Sequence, residues 1–162
     1  SPEMSAASMK PMRIVVQRVS KAEVRVENEI VGRISRGLLV LQGIHREDGP
    51  SDAEWLAERL VKLRIFDDEE GRMNCSLREV DGAVLLVSQF TLYGTIKKGN
   101  RPSYNRSAGA TEAVPLYEAF AEILRDQGIR RVETGSFGAQ MEVNLTNDGP
   151  VTLILDSRNR DF

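Results

Sequence analysis

Three residue types that often carry chemistry are scarce in this 162-residue chain, which has one cysteine, one histidine and one tryptophan. The lone Cys75 cannot form an intramolecular disulfide, and Cys75 with His45 cannot supply the usual four ligands of a zinc site. A Ser-His-Asp triad would have to use His45, which lies in a charged segment after an apolar run. The residue inventory therefore disfavours metal chemistry and triad hydrolysis.

Longer signatures are missing as well. No apolar run approaches the roughly 20 residues of a membrane-spanning helix, and no basic stretch followed by an apolar core marks a secretion signal. Gly-x-Ser-x-Gly, P-loop and Gly-x-Gly-x-x-Gly patterns are absent. We expect a soluble, cytoplasmic protein with no metal, no cofactor and no membrane partner.

The charges are nearly balanced: the chain has 24 Asp and Glu residues and 22 Lys and Arg residues, and its formal net charge is −2. This balance argues against a protein that coats nucleic acid by bulk electrostatics. A local basic patch is still present, because Lys97, Lys98, Arg101 and Arg106 share one Gly/Pro/Asn/Ser-rich segment with Tyr104 among them. A solvated loop and a nucleic-acid-binding loop both fit this pattern.

Strand-like patterning is abundant, and the chain length suits one domain. Residues 1–11 are small, polar and aperiodic, which predicts a disordered extension or an expression remnant before a domain over 12–162. Ser51 and Glu54 predict a capping box for a first helix, and Thr111 predicts the cap of a second. The strands are predicted at 14–16, 22–26, 29–34, 38–41, 83–87, 130–133, 140–146 and 151–156. This order predicts an α+β fold with a large sheet and two main helices.

Two short stretches have the residue types of a functional site rather than those of a purely structural element. Ser88-Gln89-Phe90-Thr91-Leu92 ends one apolar run, and Asn147-Asp148-Gly149-Pro150-Val151-Thr152 lies between two others. Hydroxyl, amide and backbone groups of this kind can position an activated ester and stabilise an oxyanion without a strong protein nucleophile. Taken singly, the first stretch also fits a plain strand end and the second a plain turn.

Several motifs, taken in order from about Met12 to Ser157, resemble the D-aminoacyl-tRNA deacylase family. They are Ser88 to Leu92, the Lys97 to Ser103 loop, Pro115-Leu116-Tyr117 with Phe120, Thr134 to Ala139, and Met141 to Thr152. The resemblance implies a single-domain, barrel-like, mostly antiparallel sheet with the two helices packed outside. It also implies a homodimer with its active site at the subunit interface and aminoacyl-tRNA as the substrate.

The resemblance assigns roles to individual residues. Gly149-Pro150 is implied to be a cis peptide inserted into the partner's pocket, with Asn147 and Thr152 as neighbouring substrate-binding residues. The catalytic group is implied to be Ser88, Gln89, Phe90 and Thr91: the backbone at Phe90 and Thr91 holds the ester carbonyl, and Ser88 and Gln89 orient the terminal ribose. The remaining residues are Phe137, Ala139 and Met141 on the adenosine side, and Lys97, Lys98 and Arg101 on the tRNA.

The implied reaction is hydrolysis of the ester bond of D-aminoacyl-tRNA, extending to glycyl-tRNA mischarged on non-cognate tRNA. If the ammonium and the ester carbonyl are both fixed, an L-residue must push its β-carbon into the Gly149-Pro150 backbone, which gives chiral proofreading. Water attack assisted by a ribose hydroxyl is favoured, while Thr91 as nucleophile stays open. A nucleic-acid-binding module without catalysis and a small-molecule esterase are the alternatives.

Overall fold

The computed structural model describes residues 12–159, so the predicted extension over residues 1–11 lies outside it. This region contains eight strands, two α-helices and one 3-10 helix. They are β1 Met12–Val26, β2 Glu29–Ile34, β3 Gly37–Ile44, α1 Pro50–Lys62, β4 Phe66–Asp67, β5 Met73–Cys75, β6 Ala83–Ser88, the 3-10 helix Phe90–Tyr93, α2 Ala110–Asp126, β7 Val132–Thr134 and β8 Glu142–Asp156.

The main sheet is built around β1. Its strands lie in the order β2-β1-β3-β6-β7, and β8 pairs with β1 as well. Pairing is antiparallel at β1 with β2, β3 and β8, and parallel at β3 with β6 and β6 with β7. The fold is therefore the expected α+β domain with a large, nearly closed, barrel-like sheet and two helices.

Two pairs of predicted strands are each one long strand. The stretches 14–16 and 22–26 belong to the continuous β1, which passes from β3 to β2 while β8 pairs along most of its length. The stretches 140–146 and 151–156 belong to β8, and the Gly-Pro motif lies inside it. In β1 the pairing with β8 runs along most of the strand, whereas in β8 the pairing with β1 is interrupted between Asn147 and Thr152 and then resumes.

The two faces of the sheet bury different sets of side chains. One face packs against α1 and α2 through residues such as Ile14, Val40 and Leu86. The other face fills the barrel with Val24, Leu85 and their neighbours. The apolar side chains of the first half of β8 are half-buried over the barrel and alternate with exposed polar ones, as its sequence predicts.

Both helices begin earlier than predicted, so both predicted caps are wrong. Helix α1 begins at Pro50, and the carboxylate of Asp52, rather than Glu54, accepts the Gly49 amide at 2.9 Å. Proline at the first helical position needs no amide partner, which favours this earlier start. Helix α2 follows Gly109, so Thr111 lies within its first turn and does not cap it.

Candidate active site

The first motif lies where β6 ends and the chain turns into the short 3-10 helix. Ser88 is the last residue of β6 and is half-buried, while Phe90 and Thr91 are exposed. The amide of Gln89 donates to the carbonyl of Gln42 at 2.7 Å, which continues the parallel pairing by one residue. The four predicted catalytic residues therefore lie together at the C-terminal end of β6.

Close packing fixes the 3-10 helix against β3. A β-carbon at Gly43 would lie 3.0 Å from Leu92 Cβ and 3.1 Å from Tyr93 Cε2, so the helix approaches the strand more closely than a side chain there would allow. Tyr93 is buried, with its ring 5.4 Å from that of His45, and burial raises the pKa of its phenol. Tyr93 therefore stays neutral and anchors the helix.

The backbone amides of Phe90 and Thr91 are the hydrogen-bond donors that this strand end can offer to a substrate. They open the 3-10 helix, where backbone donors have no partner within the helix. Within residues 12–159, neither amide donates to a protein acceptor. Two exposed, adjacent N–H donors held by a fixed backbone are suited to bind a carbonyl oxygen that gains negative charge.

Side-chain contacts at this edge leave Thr91 without a base. Its hydroxyl accepts a hydrogen bond from the side-chain amide of Gln89. Among the described residues no bond joins it to a carboxylate, an imidazole or an amine. Because a nucleophilic hydroxyl needs such a group to take its proton, the geometry favours a positioning role for Thr91.

The predicted adenosine-side residues reach the same end of β6. The amide of Gly135 donates to the carbonyl of Leu86 at 3.0 Å, and a β-carbon at Gly135 would lie 2.8 Å from Met141 Sδ. Phe137 packs on the ring of Tyr117 at 5.8 Å. The Tyr117 hydroxyl donates to Leu86, and burial raises its pKa to about 12. Phe137, Ala139 and Met141 are all half-buried beside the strand end.

The predicted tRNA-binding residues lie on a neighbouring hairpin. Thr95 and Ser103 exchange backbone hydrogen bonds of 2.9 Å, which closes a loop with Lys97, Lys98 and Arg101 exposed on it. Just past this closure, Tyr104 packs edge-on against Phe90 with ring centres 5.1 Å apart. The structure therefore connects the basic loop to the strand end through one aromatic contact.

The second motif forms a wide bulge in β8. Gln17 of β1 pairs with Thr152 and Val19 pairs with Asn147, so the single β1 residue between them, Arg18, lies opposite four residues of β8, 148–151. The bulge exposes Asp148, Gly149 and Pro150, and the Gly149–Pro150 peptide is cis. A turn between two strands was the simpler interpretation; here the motif interrupts one strand without ending it.

Side chains brace this bulge from beneath. The Asn147 side-chain amide donates to the carbonyls of Arg18 at 2.9 Å and Val151 at 3.0 Å, which closes the base of the bulge. The Thr152 hydroxyl donates to the Asn147 side-chain carbonyl at 3.4 Å and accepts from Gln17 at the same distance. Asn147 and Thr152 therefore hold the backbone of the bulge in place.

Arg18 is a site residue that the motifs did not reveal. It is 7% exposed, and its guanidinium donates to the carbonyls of Asp148 at 3.2 Å and Ile65 at 2.7 Å. Its charge is balanced by Asp67 at 3.4 Å and Asp148 at 3.3 Å. One signal pointed to it: Arg18 continues the inward alternation of Met12, Ile14 and Val16, where a charged residue is out of place.

Within one chain the two motifs lie at opposite ends of the sheet. Arg18 connects the bulge to Ile65 and Asp67. Between these two residues, Phe66 packs against the guanidinium of Arg36, which directly precedes β3, so the bulge lies near the start of β3. Ser88 instead ends β6 at the opposite end of β3, to which β6 runs parallel. Ser88 is level with Ile14 of β1, because both pair with Gln42, whereas the bulge lies opposite Arg18. The two motifs are therefore about 13 Å apart in the direction of β1 and three strand spacings, about 14 Å, apart across the sheet. One chain alone does not bring them together.

The other residues considered for chemistry are engaged locally. His45 is nearly buried, and its Nδ1 accepts the amide of Glu47 at 3.1 Å instead of a serine hydroxyl. No group of His, Cys, Asp and Glu side chains suited to a metal ion occurs in the described part of the chain. None of the helices within residues 12–159 has the length and apolar character needed to cross a membrane.

Comparison with known sequences gives a consistent result. Residues 15–156 match the family described as D-Tyr-tRNA(Tyr) deacylase. A D-aminoacyl-tRNA deacylase of Thermosipho melanesiensis is 55% identical over 91% of this chain and 98% of its own length. The protein of the same description from Thermus aquaticus is 56% identical over 92% of this chain and 97% of its own length.

Solved structures show the same fold. The c-Myc DNA unwinding element binding protein superposes with a TM-score of 0.83 at 39% identity, over 88% of this chain and 97% of its own. A probable eukaryotic D-amino acid tRNA deacylase superposes with a TM-score of 0.78 at 21% identity, over 91% of this chain and all of its own. At that lower identity the second match speaks for the architecture alone.

Proposed function

Because the chain belongs to the D-Tyr-tRNA(Tyr) deacylase family, we propose that it hydrolyses the ester bond of D-aminoacyl-tRNA in the cytoplasm, releasing the D-amino acid and the tRNA. The observation that carries this proposal is the pair of exposed amides at Phe90 and Thr91, which have no acceptor in the described chain. They are placed to bind the ester carbonyl and to stabilise the oxyanion that forms when water attacks.

The other groups act by placement. Ser88 and Gln89 hold the strand end and orient the terminal ribose, and Phe137, Ala139 and Met141 form the apolar side against the adenosine. With no general base at Thr91, a ribose hydroxyl of the substrate assists the attacking water. The protein then lowers the barrier through orientation and through its fixed dipoles, which are among the largest contributions available to an enzyme.

The exposed Gly149-Pro150 backbone supplies the chiral selection. Since this bulge lies far from Ser88 in its own chain, the selector acts in a homodimer, where the bulge of one protomer enters the site of its partner. With the ammonium and the carbonyl of the substrate fixed, an L-residue drives its β-carbon into the turn, and a D-residue directs it away. A thousandfold preference corresponds to about 4 kcal/mol. Glycine has no β-carbon, so glycyl-tRNA mischarged on non-cognate tRNA is also a substrate.

A paired deacylation assay tests the proposed function. D-tyrosyl-tRNA should lose its amino acid at a rate well above the uncatalysed rate, and L-tyrosyl-tRNA should decay at the uncatalysed rate. Equal hydrolysis of the two would remove the chiral selector. Hydrolysis of simple tyrosine esters with indifference to the tRNA would favour a small-molecule esterase.

The water mechanism makes a prediction for Thr91→Ala and for the similarly shaped Thr91→Val. Because the hydroxyl is not paired with a base, each variant should keep at least about a tenth of the wild-type turnover, a barrier change of about 1.4 kcal/mol or less. Single-turnover hydrolysis of D-tyrosyl-tRNA measures this. Near-complete loss of turnover in variants that still fold and bind tRNA would make Thr91 the nucleophile.

The basic hairpin makes a separate prediction. Replacing Lys97 and Lys98 with alanine should weaken tRNA binding at least several-fold and flatten its salt dependence, because phosphate contacts are lost. Hydrolysis of substrate that is already bound should change less. A control variant, Arg72→Gln with Arg78→Gln, removes two exposed cations elsewhere. Unchanged tRNA affinity in the lysine variant would remove the hairpin from the binding surface.

A nucleic-acid-binding module without catalysis is the second candidate. The exposed cations of the hairpin and the 39% identity to a protein described as binding a DNA unwinding element favour it. Such a module would bind tRNA and DNA with a steep salt dependence and leave D-tyrosyl-tRNA intact. The deacylation assay therefore separates the two candidates directly.

A further inference from the structure

A second concave site lies at the C-terminal end of the 3-10 helix, whose N-terminal end carries the free amides. The cavity has a volume of about 420 Å³ and forms where five segments meet: the start of β1, the loop after β3, the end of the 3-10 helix, the segment before α2 that carries Arg106, and the end of β8 with the residues after it. Its polar wall is made by Arg13, His45, Arg46, Arg106, Asp156 and Arg158. None of the catalytic or tRNA-binding roles assigned above involves this pocket.

The pocket carries an excess of unpaired positive charge. Asp156 is already occupied, because it pairs with Arg13 at 3.0 Å and accepts the backbone amide of Arg158 at 2.8 Å. Within residues 12–159, the side chains of Arg106 and Arg158 make no hydrogen bond or ion pair. Glu47, also on the wall, is exposed. Guanidinium groups gathered in this way repel one another unless an anion binds between them.

The single histidine of the chain reports on this charge. Burial lowers the pKa of His45, and the nearby guanidiniums of Arg46, Arg158 and Arg106 lower it further, against the opposing effect of Glu47. His45 is therefore neutral at pH 7. Since Nδ1 accepts the amide of Glu47, the ring proton lies on Nε2, where it is a further donor on the wall of the pocket.

The position of the pocket points to its ligand. The free amides open the 3-10 helix and Tyr93 closes it, and a 3-10 helix of four residues is only about 8 Å long. An RNA strand whose 3′ ester lies on the amides therefore has backbone phosphates within reach of the pocket. Arginine guanidinium matches a phosphodiester with paired N–H donors, and such contacts fix register without reading sequence.

We propose that this basic pocket binds a backbone phosphate near the 3′ end of the tRNA, so that the acceptor strand is held at both ends of the 3-10 helix. The proposal rests on the proposed function for the identity of the RNA. Arg106 and Arg158 are the main ligands, because both side chains are exposed and uncommitted. The contact supplies affinity and register, and the chemistry stays at the amides.

The test compares two double variants. Arg106→Gln with Arg158→Gln removes the uncommitted charges of the pocket, and Arg72→Gln with Arg78→Gln removes the same charge away from the far ends of β3 and β6. Binding of uncharged tRNA is measured across salt concentrations. The pocket variant should bind about tenfold more weakly, with a slope of log affinity against log salt smaller by one to two. The control should match the wild type.

A substrate without phosphates isolates the chemistry. Hydrolysis of 3′-D-tyrosyl-adenosine should proceed in the pocket variant at the wild-type rate within about twofold, since the amides are untouched. Equal tRNA affinity in both double variants would overturn the proposal. So would an equally large loss of adenosine-ester hydrolysis, because it would mean that the two arginines support the catalytic edge instead.

Nuclear magnetic resonance of His45 separates RNA phosphate from a free anion. Because the chain has one histidine, its ring C–H signals report on this pocket alone. An acceptor-stem RNA hairpin should shift them at concentrations where inorganic phosphate does not; the reverse order would overturn the proposal. Binding of uncharged tRNA does not depend on turnover. If the proposed hydrolysis fails, the wild type will show no deacylation, and the binding comparison between the variants will still test the pocket.

Discussion

Replacing Gly149 with alanine should lower the rate of D-tyrosyl-tRNA hydrolysis at least about a hundredfold, which is about 2.7 kcal/mol in the barrier. The added β-carbon would lie 2.8 Å from Val151 Cγ2 and 3.2 Å from Arg18 Nη2. Its φ of +128° is a conformation that side-chain-bearing residues avoid. The turn must therefore move or carry a methyl group at its exposed surface, and either change disturbs a site that depends on close approach.

The control is Gly71→Ala, at another exposed glycine with positive φ but with open space around the new β-carbon. Both variants carry a strained backbone, but only Gly149→Ala adds a close contact, so Gly71→Ala should show a modest loss of thermal stability and keep full turnover. Wild-type turnover in the Gly149 variant would refute the assignment of the turn to the active site.

Mixing variants tests whether the site is shared between protomers. Gly149→Ala alters the turn, and Ala139→Phe obstructs the adenosine side, so each homodimer should be nearly inactive. After subunit exchange, half the dimers are mixed and each has one site with an intact turn and an intact pocket. About a quarter of the wild-type turnover should therefore return. No recovery in a mixture shown to contain heterodimers would place both motifs in one chain's site.

Replacing Arg18 with methionine should cost both activity and stability. The variant keeps the buried bulk but leaves the carbonyls of Asp148 and Ile65 without their donor. The loss of these partly buried hydrogen bonds from a charged donor costs about 1–3 kcal/mol, which in a domain of this size lowers the melting temperature by several degrees. Hydrolysis of D-tyrosyl-tRNA should fall at least about tenfold, because the turn loses its brace.

Two further variants show whether the loss comes from the brace or from charge alone. Arg18→Lys keeps the charge but cannot make all the bonds of the guanidinium, so it should recover stability more than activity. Arg25→Gln removes a half-buried cation of the same strand that pairs with Glu23 and lies away from the bulge, and it should change little. If Arg18→Met lowers stability but leaves the turnover and the D-over-L preference intact, the residue supports the fold only.

The sequence predicted elements well where one short-range rule decides them. Period-two alternation predicted the strands at 22–26 and 140–146, continuous apolar runs predicted those at 38–41 and 83–87, and Gly128 marked the end of α2. The short strands β4 and β5 were not predicted. The same reasoning failed at the helix starts, because Gly49 and Gly109 precede the helices while Ser51 and Thr111 lie inside them. A capping preference is worth only about 1 kcal/mol, and tertiary contacts of comparable strength shift such boundaries easily.

The candidate site divides in the same way. The residues of the two motifs were evident from their chemistry and from their resemblance to a family. The brace at Arg18 was not, because its partners at Ile65 and Asp148 are 47 and 130 residues away. The basic pocket was also hidden, since its arginines come from separate segments and only Arg106 belongs to the basic stretch of the sequence.

By itself, the sequence determined the kinds of element and the two motifs that carry the proposed chemistry. These follow from local periodicity and residue type, which neighbouring residues encode. Only the tertiary structure decided that the two motifs lie at opposite ends of one sheet, that Arg18 is buried beneath the turn and that His45 borders a basic pocket. Those facts depend on which strands pair and in what register, and the register is set by packing across the whole chain.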